Sequence, residues 1–556
     1  MIHCLLLTGS SFTVKHPNMK LPVTTVFTHL LLLVSLAASA QAPLPAATTV
    51  METNHVKAFL SADGTAFAGP AGEGFVPVEP GLAMKSLMGH TGLWVAGMDP
   101  AGNLKGAVSV KGQTDFHPGL DPLSDPADSI YLNHIWKVSC ADINQHLDNL
   151  QNGILDSPVP NVFGFPGRGN PYFAEYNPYD LPFTIQGLGG FYDRDGDAGY
   201  DPLQGDYPSI EIRGCPLENY PEEQNWFVFN DVGDHPSLLH PLEMEIQTQF
   251  FAFKTPSASP LNNAIFARYK LINRGAEQLD SCYFGLYADF NIGNPDDDFL
   301  GTIPGQQVVY GYNSDNNDEG GFGSGVPVMA IDLMRGPLDT FGMEVSLHSA
   351  VVVNDADNLQ PVQYYNLLSG SLQDGSPAPN GGIMFPDNPN DPNGVSEYAQ
   401  GNVPGKRVGV ASYGPFSLKP GAVNELIVAY YYVYTPGATP LQNVQQLYAD
   451  AGVIQGLFDN CFEGLDNTCD ALVNAPDYPD AAGFSVFPNP ANTELNIRSE
   501  AAAFSRIEIF DTPGRIIRTI ELARPVNNYT LPVSGLPAGA YLLRVNSRAL
   551  PLMIQR

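Results

Sequence analysis

The chain is poor in charged side chains, and above all in cationic ones. Of its 556 residues 15% are charged, and 26 lysines and arginines stand against 58 aspartates and glutamates, which gives a net charge of −32. Such a charge argues against nucleic acids and anionic membrane surfaces as partners. It fits cation binding and solubility outside the cell.

Sequence signatures of common enzymes are missing as well. The chain has no HExxH zinc motif, no Gly-x-Ser-x-Gly elbow, no P-loop and no Gly-x-Gly-x-x-Gly. Its strand-dominated pattern argues against a (β/α)8 glycosidase, which needs eight helices. A β-sandwich hydrolase with two carboxylates stays open, although the carboxylates are too numerous for one pair to be singled out.

Long apolar runs are scarce, and the run Leu30–Leu36 is too short to span a membrane as a stable helix. It follows Met19-Lys20 and precedes Ala37–Ala40, which is the order of a secretory signal. We therefore expect translation to start at Met19 and residues 1–40 to comprise an upstream segment and a signal peptide. The mature chain is expected to begin at Gln41, to be exported and to have no membrane span.

Cysteine is rare: there are six, and one of them, Cys4, precedes the signal. Cys461 and Cys469 lie close together in a polar loop, and an oxidising compartment favours a disulfide between them. The remaining three cysteines are Cys140, Cys215 and Cys282. Cys140 and Cys215 are a possible pair, and an odd number leaves one thiol unpaired. No CxxC or Cys/His spacing supports a metal site.

Glycine, proline, tyrosine and phenylalanine are abundant, with 55, 49, 25 and 30 residues, as in turn-rich secreted β-proteins. Met244–Phe253 and Ile265–Ile272 alternate apolar and polar residues, which predicts strands with one wet face. A helix is predicted within 130–150, and a second begins at Pro440 behind a Thr439 cap. The predicted fold class is all-β, with one or two β-sandwich-like domains and a few short helices.

This organisation predicts four segments after the signal. They are an N-terminal β-rich region with a calcium-type loop, a central β-sandwich region ending in a helix, a linker and a small β-sandwich: 41–215, 216–473, 474–482 and 483–556.

The calcium-type loop carries aspartates at alternate positions, so that their carboxylates can converge on one ion. Asp193, Asp195 and Asp197 occupy positions 1, 3 and 5, and the Gly199 carbonyl and Asp201 occupy positions 7 and 9. Ala198 and Gln204 replace the glycine and glutamate of an EF-hand, and Asp206 is a candidate for the missing ligand. We expect a structural Ca²⁺ here, and the alternative is a plain Asp/Gly turn.

A second acidic loop is a weaker candidate for Ca²⁺, and it could equally be solvated. Its oxygen-bearing residues are Asp289, Asn291, Asp296, Asp297 and Asp298.

Residues 483–556 have their own charge balance, with five acidic residues and eight arginines, and short alternating strands between turns. Alternation alone also fits an ordinary Ig-like accessory domain. The order of motifs is more specific: Pro488-Asn489-Pro490 after a short apolar strand, then Gly514-Arg515, then Leu536–Tyr541 near the terminus. The segment resembles the type A C-terminal sorting domain of the type IX secretion system of Bacteroidetes, although its end lacks the usual pair of lysines.

That resemblance implies an Ig-like β-sandwich, contact with the secretion machinery and its sortase, and a location at the outer cell surface or in the medium. The central region resembles a group of large secreted Bacteroidetes proteins with the same tail, through motifs that begin at Gly92, Asp115, Asp193, Ala288 and Gly414. The group has no established activity, so it implies no catalytic residues.

The function predicted from the sequence is that of a secreted or cell-surface, non-catalytic protein. It would be stabilised by calcium and act as a structural, adhesive or glycan-binding protein. The alternative is a secreted hydrolase of polysaccharide or protein that uses a carboxylate pair.

Overall fold

The computed structural model describes residues 45–555, except for 70–73, 121–132, 152–156, 217, 256–258, 355–358, 466–483, 490, 500–502, 511–515 and 546–547. The predicted signal peptide and the linker 474–482 fall outside these residues. None of the described helices combines the length and the apolar composition that a bilayer crossing requires.

The structure is dominated by strands, which confirms the all-β prediction. In chain order the strands are β1 (Thr48–Glu52), β2 (Val56–Ser61), β3 (Phe75–Pro77), β4 (Met88–Met98), β5 (Leu104–Val110), β6 (Gln113–Thr114), β7 (His117–Pro118), β8 (Trp136–Ser139), β9 (Phe191–Tyr192), β10 (Tyr207–Pro208), β11 (Glu223–Asn230), β12 (Met244–Ala252), β13 (Ala264–Asn273), β14 (Leu279–Phe290), β15 (Asp298–Ile303), β16 (Val308–Asn313), β17 (Asn317–Asp318), β18 (Gly323–Ser324), β19 (Val328–Arg335), β20 (Leu347–Val352), β21 (Arg407–Leu418), β22 (Val423–Val433), β23 (Phe484–Phe487), β24 (Glu494–Ser499), β25 (Phe504–Phe510), β26 (Ile516–Val526), β27 (Asn528–Pro532), β28 (Gly539–Val545) and β29 (Arg548–Ile554). The helices are α1 (Cys140–Gln151), α2 (Pro160–Phe163), α3 (Phe173–Tyr176), α4 (Pro361–Leu368), α5 (Glu397–Gln400) and α6 (Pro440–Asp459).

Two large antiparallel sheets form the body of the protein. The first runs β1-β2-β3-β4-β14-β21-β20, with β5 paired to β4 and β6 paired to β5. The second runs β15-β16-β19-β22-β13-β12-β11-β7, with β8 attached to β11. Their facing sides share one apolar core, in which Phe284 of the first sheet lies 5.8 Å from Tyr269 of the second, measured between ring centroids.

Both sheets draw strands from both sides of residue 216. The predicted ranges 41–215 and 216–473 therefore do not correspond to separate sheets, because β4 pairs with β14 and β8 pairs with β11. The two sheets form one sandwich built from chain segments far apart in sequence.

The face of β12 and β13 that the alternation predicted to be wet is buried. Every residue of β12 is buried, and Arg268 and Lys270 on β13 are buried as well. Residues 186–211 cover this face: Gln247 Nε2 donates to the Gly187 carbonyl at 2.8 Å, and Gln249 Nε2 donates to the Ser209 carbonyl at 2.9 Å. Polar side chains that hydrogen-bond to a covering segment produce the same alternation as side chains in water, so the pattern could not distinguish the two.

The long helix α6 begins where its sequence predicts. The Thr439 side chain accepts a hydrogen bond from the Gln442 N–H, and Pro440 follows it at the first helical position. Its apolar face packs on the outer side of the second sheet, with Leu447 and Phe458 among the buried residues.

The predicted Cys461–Cys469 disulfide is wrong. Cys461, just after α6, is bonded to Cys215, which lies 246 residues earlier. The prediction rested on closeness in sequence, whereas the packing of α6 on the sheet brings its end to the segment that carries Cys215. Because Cys215 is bonded to Cys461, the alternative pair Cys140–Cys215 is excluded, and Cys140 is disulfide-bonded to a different residue. Cys469 lies outside the described residues, and Cys282 is a buried free thiol.

The C-terminal segment has two small sheets, β23-β24-β27 and β26-β25-β28-β29, around a core of its own. Leu495, Ile507 and Leu543 are fully buried in that core. This arrangement agrees with the predicted β-sandwich.

Candidate metal site and adjoining cavity

The aspartate-rich loop is closed at its base by a short hairpin. Tyr192 and Phe191 on β9 pair with Tyr207 and Pro208 on β10, and the loop lies between them. Both ends of the segment are thereby fixed, and the aspartates project from a loop of defined geometry.

Three of the predicted ligands come together. Asp193, Asp195 and Asp197 each offer a carboxylate oxygen, and these oxygens all lie within 4.8 Å of one another. Asp193 accepts hydrogen bonds from the N–H groups of Gly196 at 2.7 Å and Ala198 at 2.8 Å. Burial raises the pKa of Asp193, but these N–H donors outweigh it and hold the pKa below its ordinary value, so the side chain stays ionised. Such a group of oxygens suits a hard cation.

The other predicted ligands make contacts that shape the loop. Asp206 is fully buried, and its two oxygens accept the N–H groups of Arg194 at 2.8 Å and Asp201 at 2.9 Å. Asp201 in turn accepts the Leu203 N–H at 2.9 Å. The Gly199 N–H donates to Asp197 at 2.7 Å. Burial raises the pKa of Asp206, and the carboxylates of Asp193 and Asp195 add to that shift.

The loop also supports the neighbouring segment. The ring of Tyr200 is buried against Gly167, and its hydroxyl donates to the Val162 carbonyl at 2.6 Å. The Tyr200 N–H donates to the Arg168 carbonyl at 2.7 Å. A change in the conformation of the loop would therefore shift the backbone at Arg168.

Arg168 belongs to the wall of a cavity of about 280 Å³. The lining residues are Arg168, Gly169, Asn170, Pro171, Phe173, Ala174, Asp180, Leu181, Pro182, Phe183, Thr184, Gly187 and Leu188. Phe183 is 80% exposed, although it is a large aromatic side chain. The lining residues thus include an exposed aromatic, a cationic and an anionic side chain, whereas the Asn170 amide and the Thr184 hydroxyl donate to backbone carbonyls. In the sequence, only the wealth of aromatic residues and prolines in this stretch pointed to these residues.

A second open cavity, of about 700 Å³, brings Asp99, Glu243 and His240 to one surface. Asp99 accepts hydrogen bonds from the Asn103 side chain at 2.8 Å and from the Ala101 N–H at 2.9 Å. The Asn103 hydrogen bonds lower the pKa of Asp99. An ionised carboxylate committed to its own turn is poorly suited to act as a general acid.

The second acidic loop does not form one group. Asp289 is buried at the end of β14 and pairs with Lys111 at 2.7 Å and Lys406 at 3.7 Å, so its charge is already offset. Asp296 is exposed, whereas Asp298 is fully buried. Asp297 and Asn291 are partly buried.

Residues 485–554 match the family of secretion system C-terminal sorting domains. This domain marks the protein as a substrate of type IX secretion and as a secreted or cell-surface protein, and it implies contact with the secretion machinery. No curated protein matches the chain.

Solved structures that resemble the chain include a polysaccharide lyase, with a TM-score of 0.19 and 10% identity, covering 66% of this chain. The chain spans 39% of the length of that lyase. A putative aldose 1-epimerase from Escherichia coli K12 gives a TM-score of 0.23 and 9% identity. That match covers 70% of this chain and 100% of the epimerase chain.

Proposed function

We propose that this protein is a calcium-stabilised, non-catalytic glycan-binding protein, delivered to the cell surface or the medium by type IX secretion. The same proposal includes a removed signal peptide within residues 1–40, a Bacteroidetes source and recognition of residues 483–556 by the sortase of the secretion system. The observation that carries it is the cavity beside the aspartate loop, whose wall at Arg168 is held by the Tyr200 backbone.

Calcium at Asp193, Asp195 and Asp197 follows from the chemistry of the loop. Three carboxylates whose oxygens lie within 4.8 Å of one another repel each other, and a divalent cation between them would replace this repulsion with attraction to the ion. Extracellular modules bind Ca²⁺ with dissociation constants of roughly 10⁻⁴–10⁻³ M, so a partly exposed site would be filled outside the cell. In this proposal Asp201 and Asp206 set the shape of the loop through the backbone N–H groups that they accept.

A glycan suits the cavity because sugars present both apolar ring faces and hydroxyl groups. The exposed Phe183 offers a flat apolar surface for a sugar ring. Arg168 and Asp180 provide a donor and an acceptor for hydroxyl groups. A few polar groups placed around an apolar surface are typical of small-ligand sites.

A glycan array probed with the mature protein in millimolar Ca²⁺ tests the proposal, followed by affinity measurements on the best ligand. Phe183→Ala and Arg168→Ala should each weaken binding by about tenfold or more, corresponding to about 1.4 kcal/mol. Phe341→Ala is the matched control, because Phe341 is 89% exposed at a different place. Wild-type binding in both cavity variants, or no glycan bound at all, would contradict the proposal, and hydrolysis products in the same wells would favour the hydrolase.

The calcium part is tested by thermal melting in about 5 mM Ca²⁺ and in EDTA. For the dissociation constants above, Ca²⁺ should stabilise the wild type by about 1–2 kcal/mol through this loop. A double variant, Asp195→Asn with Asp197→Asn, should lose this stabilisation and bind the glycan more weakly. The control Glu463→Gln neutralises an exposed acid elsewhere, and equal Ca²⁺ responses in all three proteins would refute the site.

A further inference from the structure

The open cavity of about 700 Å³ is lined by a loop with an unusual backbone. Leu238, His240 and Glu243 of this loop contribute to its wall, together with Asp99 and Lys105. Leu238 and Glu243 have φ angles of 64° and 60°, in the left-handed region that residues other than glycine rarely adopt. Backbone strain of this kind persists only where the surrounding contacts impose it, and it is frequent at binding sites.

Two buried aspartates hold the loop in this conformation. Asp115 accepts the Ser237 N–H at 3.1 Å, and Asp231 accepts the Met244 N–H at 2.6 Å. Both aspartates are buried. Between these two points the His240 carbonyl accepts an N–H group of β5 at 2.8 Å. The loop is therefore fixed at both ends and at its centre, so its side chains are positioned before any ligand binds.

The side chains that this loop presents to the cavity are available for a ligand. Leu238 is 70% exposed, although it is a large apolar residue. The Glu243 carboxylate and the His240 ring make no hydrogen bond or ion pair within the described part of the chain. A β-carbon at Gly275 would come within 2.8 Å of Glu243 Oε2, so glycine at that position leaves the carboxylate its space. One cavity thus offers an apolar surface, a carboxylate and an imidazole.

The cations near Glu243 do not neutralise it. Arg274 donates its backbone N–H to the Glu243 carbonyl, but its guanidinium pairs with another glutamate, on β12, at 2.9 Å. Lys105 lies 3.9 Å from the Glu277 carboxylate and interacts electrostatically with Asp99. The cavity therefore carries an excess of negative charge, which the net charge of −32 on the whole chain reinforces. This charge favours a ligand with a positive group.

We propose that this cavity binds an amino sugar, whose ammonium group pairs with Glu243 and whose ring packs against Leu238. The His240 ring and the Lys105 ammonium group provide hydrogen bonds for the sugar hydroxyls. A volume of about 700 Å³ lies within the range of small-ligand sites. The site is separate from the glycan cavity at Arg168, because the two share no lining residue.

Isothermal titration calorimetry in slightly acidic buffer tests this site with two disaccharides. One is the β-1,4-linked glucosamine disaccharide, and the other is its N,N′-diacetyl form, which keeps the rings and loses the positive charges. The wild type should bind the acetylated form about tenfold more weakly or worse. Glu243→Gln should weaken binding of the amino disaccharide by about tenfold. The matched control is Glu463→Gln, which neutralises an exposed acid elsewhere and should bind like the wild type.

The same titrations show which cavity is occupied. Phe183→Ala should bind the amino disaccharide like the wild type, and weaker binding by this variant would overturn the proposal by placing the sugar in the other cavity. The proposal is also overturned if the wild type binds neither disaccharide or both equally, or if Glu243→Gln binds as well as Glu463→Gln. A leucyl-lysine dipeptide that binds as tightly as the amino disaccharide would overturn the assignment to a sugar.

If Glu243→Gln fails to fold, Leu238→Ala carries the test. Its affinity for the amino disaccharide should fall about threefold or more, because the sugar ring loses its apolar contact. Val403→Ala is its control, since Val403 is 83% exposed at a different place. Equal affinities of these two variants would count against the site.

Discussion

The pKa of His90 shows how strongly burial can affect one side chain. It lies on β4 opposite Asp289, is 2% exposed, and contacts the ring of Tyr287 edge-on at 5.4 Å. Burial lowers its pKa from 6.5 to about 4, while Asp289 raises it and Lys111 lowers it further. This pKa shift could not be predicted from the sequence, because it depends on the strands packed around the ring.

We predict that His90 makes the fold sensitive to acid. With a folded pKa of about 4, the ring stays neutral in the native state down to that pH, whereas the unfolded chain binds a proton below about 6.5. The unfolded state then binds more protons, so stability falls as pH drops from about 6.5 to about 4. The wild type should therefore lose about 2 kcal/mol more of its free energy of unfolding between pH 7 and pH 5 than His90→Gln does.

Denaturant unfolding at the two pH values measures this difference. His240→Gln, which replaces an exposed histidine, should behave like the wild type. The prediction fails if His90→Gln and the wild type lose the same stability between pH 7 and pH 5.

At the scale of elements, the bounds and the apolar face of α6 could be predicted from the sequence, but its position in the fold could not. Its cap and its apolar face could be read directly, because both depend on neighbours within a few residues. Its place on the second sheet, and the bond from Cys461 to Cys215, depend on a chain segment 246 residues away. The predicted pairing with Cys469 rested on closeness in sequence, which does not reveal the distant segment that packs beside Cys461.

We predict that the Cys215–Cys461 bond anchors the end of α6. Replacing both cysteines with serine should destabilise the protein by about 2–4 kcal/mol, since the bond restricts a long segment of the unfolded chain. Peptide mass spectrometry without reduction should find Cys215 linked to Cys461 in the wild type. Cys282→Ala is the control and should leave that linked peptide intact, whereas a Cys461–Cys469 peptide would contradict the prediction.

At the scale of the whole molecule, the body and the C-terminal segment have separate sheets and separate apolar cores. The body folds from strands distant in sequence, whereas residues 484–554 pair among themselves. A module with its own core can act as an address independent of what the body binds.

We predict that deleting residues 483–556 leaves the protein in the periplasm, because the sorting domain is then missing while the proposed signal peptide would still direct export across the inner membrane. Cell fractionation and immunoblotting of the truncated and full-length forms measure this. The control is Phe183→Ala in the full-length chain, which alters the cavity and should be exported normally. Surface display or release of the truncated form at the normal level would contradict the prediction.

The sequence by itself determined the features that depend on local order. Alternation and turn residues predicted the strands, Thr439 and Pro440 predicted the start of α6, and the motif order of the tail predicted the sorting domain. The spacing of Asp193, Asp195 and Asp197 predicted that their carboxylates meet, since alternate residues of a turn can face one point.

Only the tertiary structure decided which polar side chains are buried or already paired and which are free to bind a ligand. It buried the polar face of β12 under residues 186–211 and gave Asp289 two lysine partners. It also joined Arg168 to the aspartate loop. The physical reason is that the cost of burying a polar group, and the partner that offsets it, are set by whichever segment packs against it, and in a sandwich of interleaved strands that segment is distant in sequence.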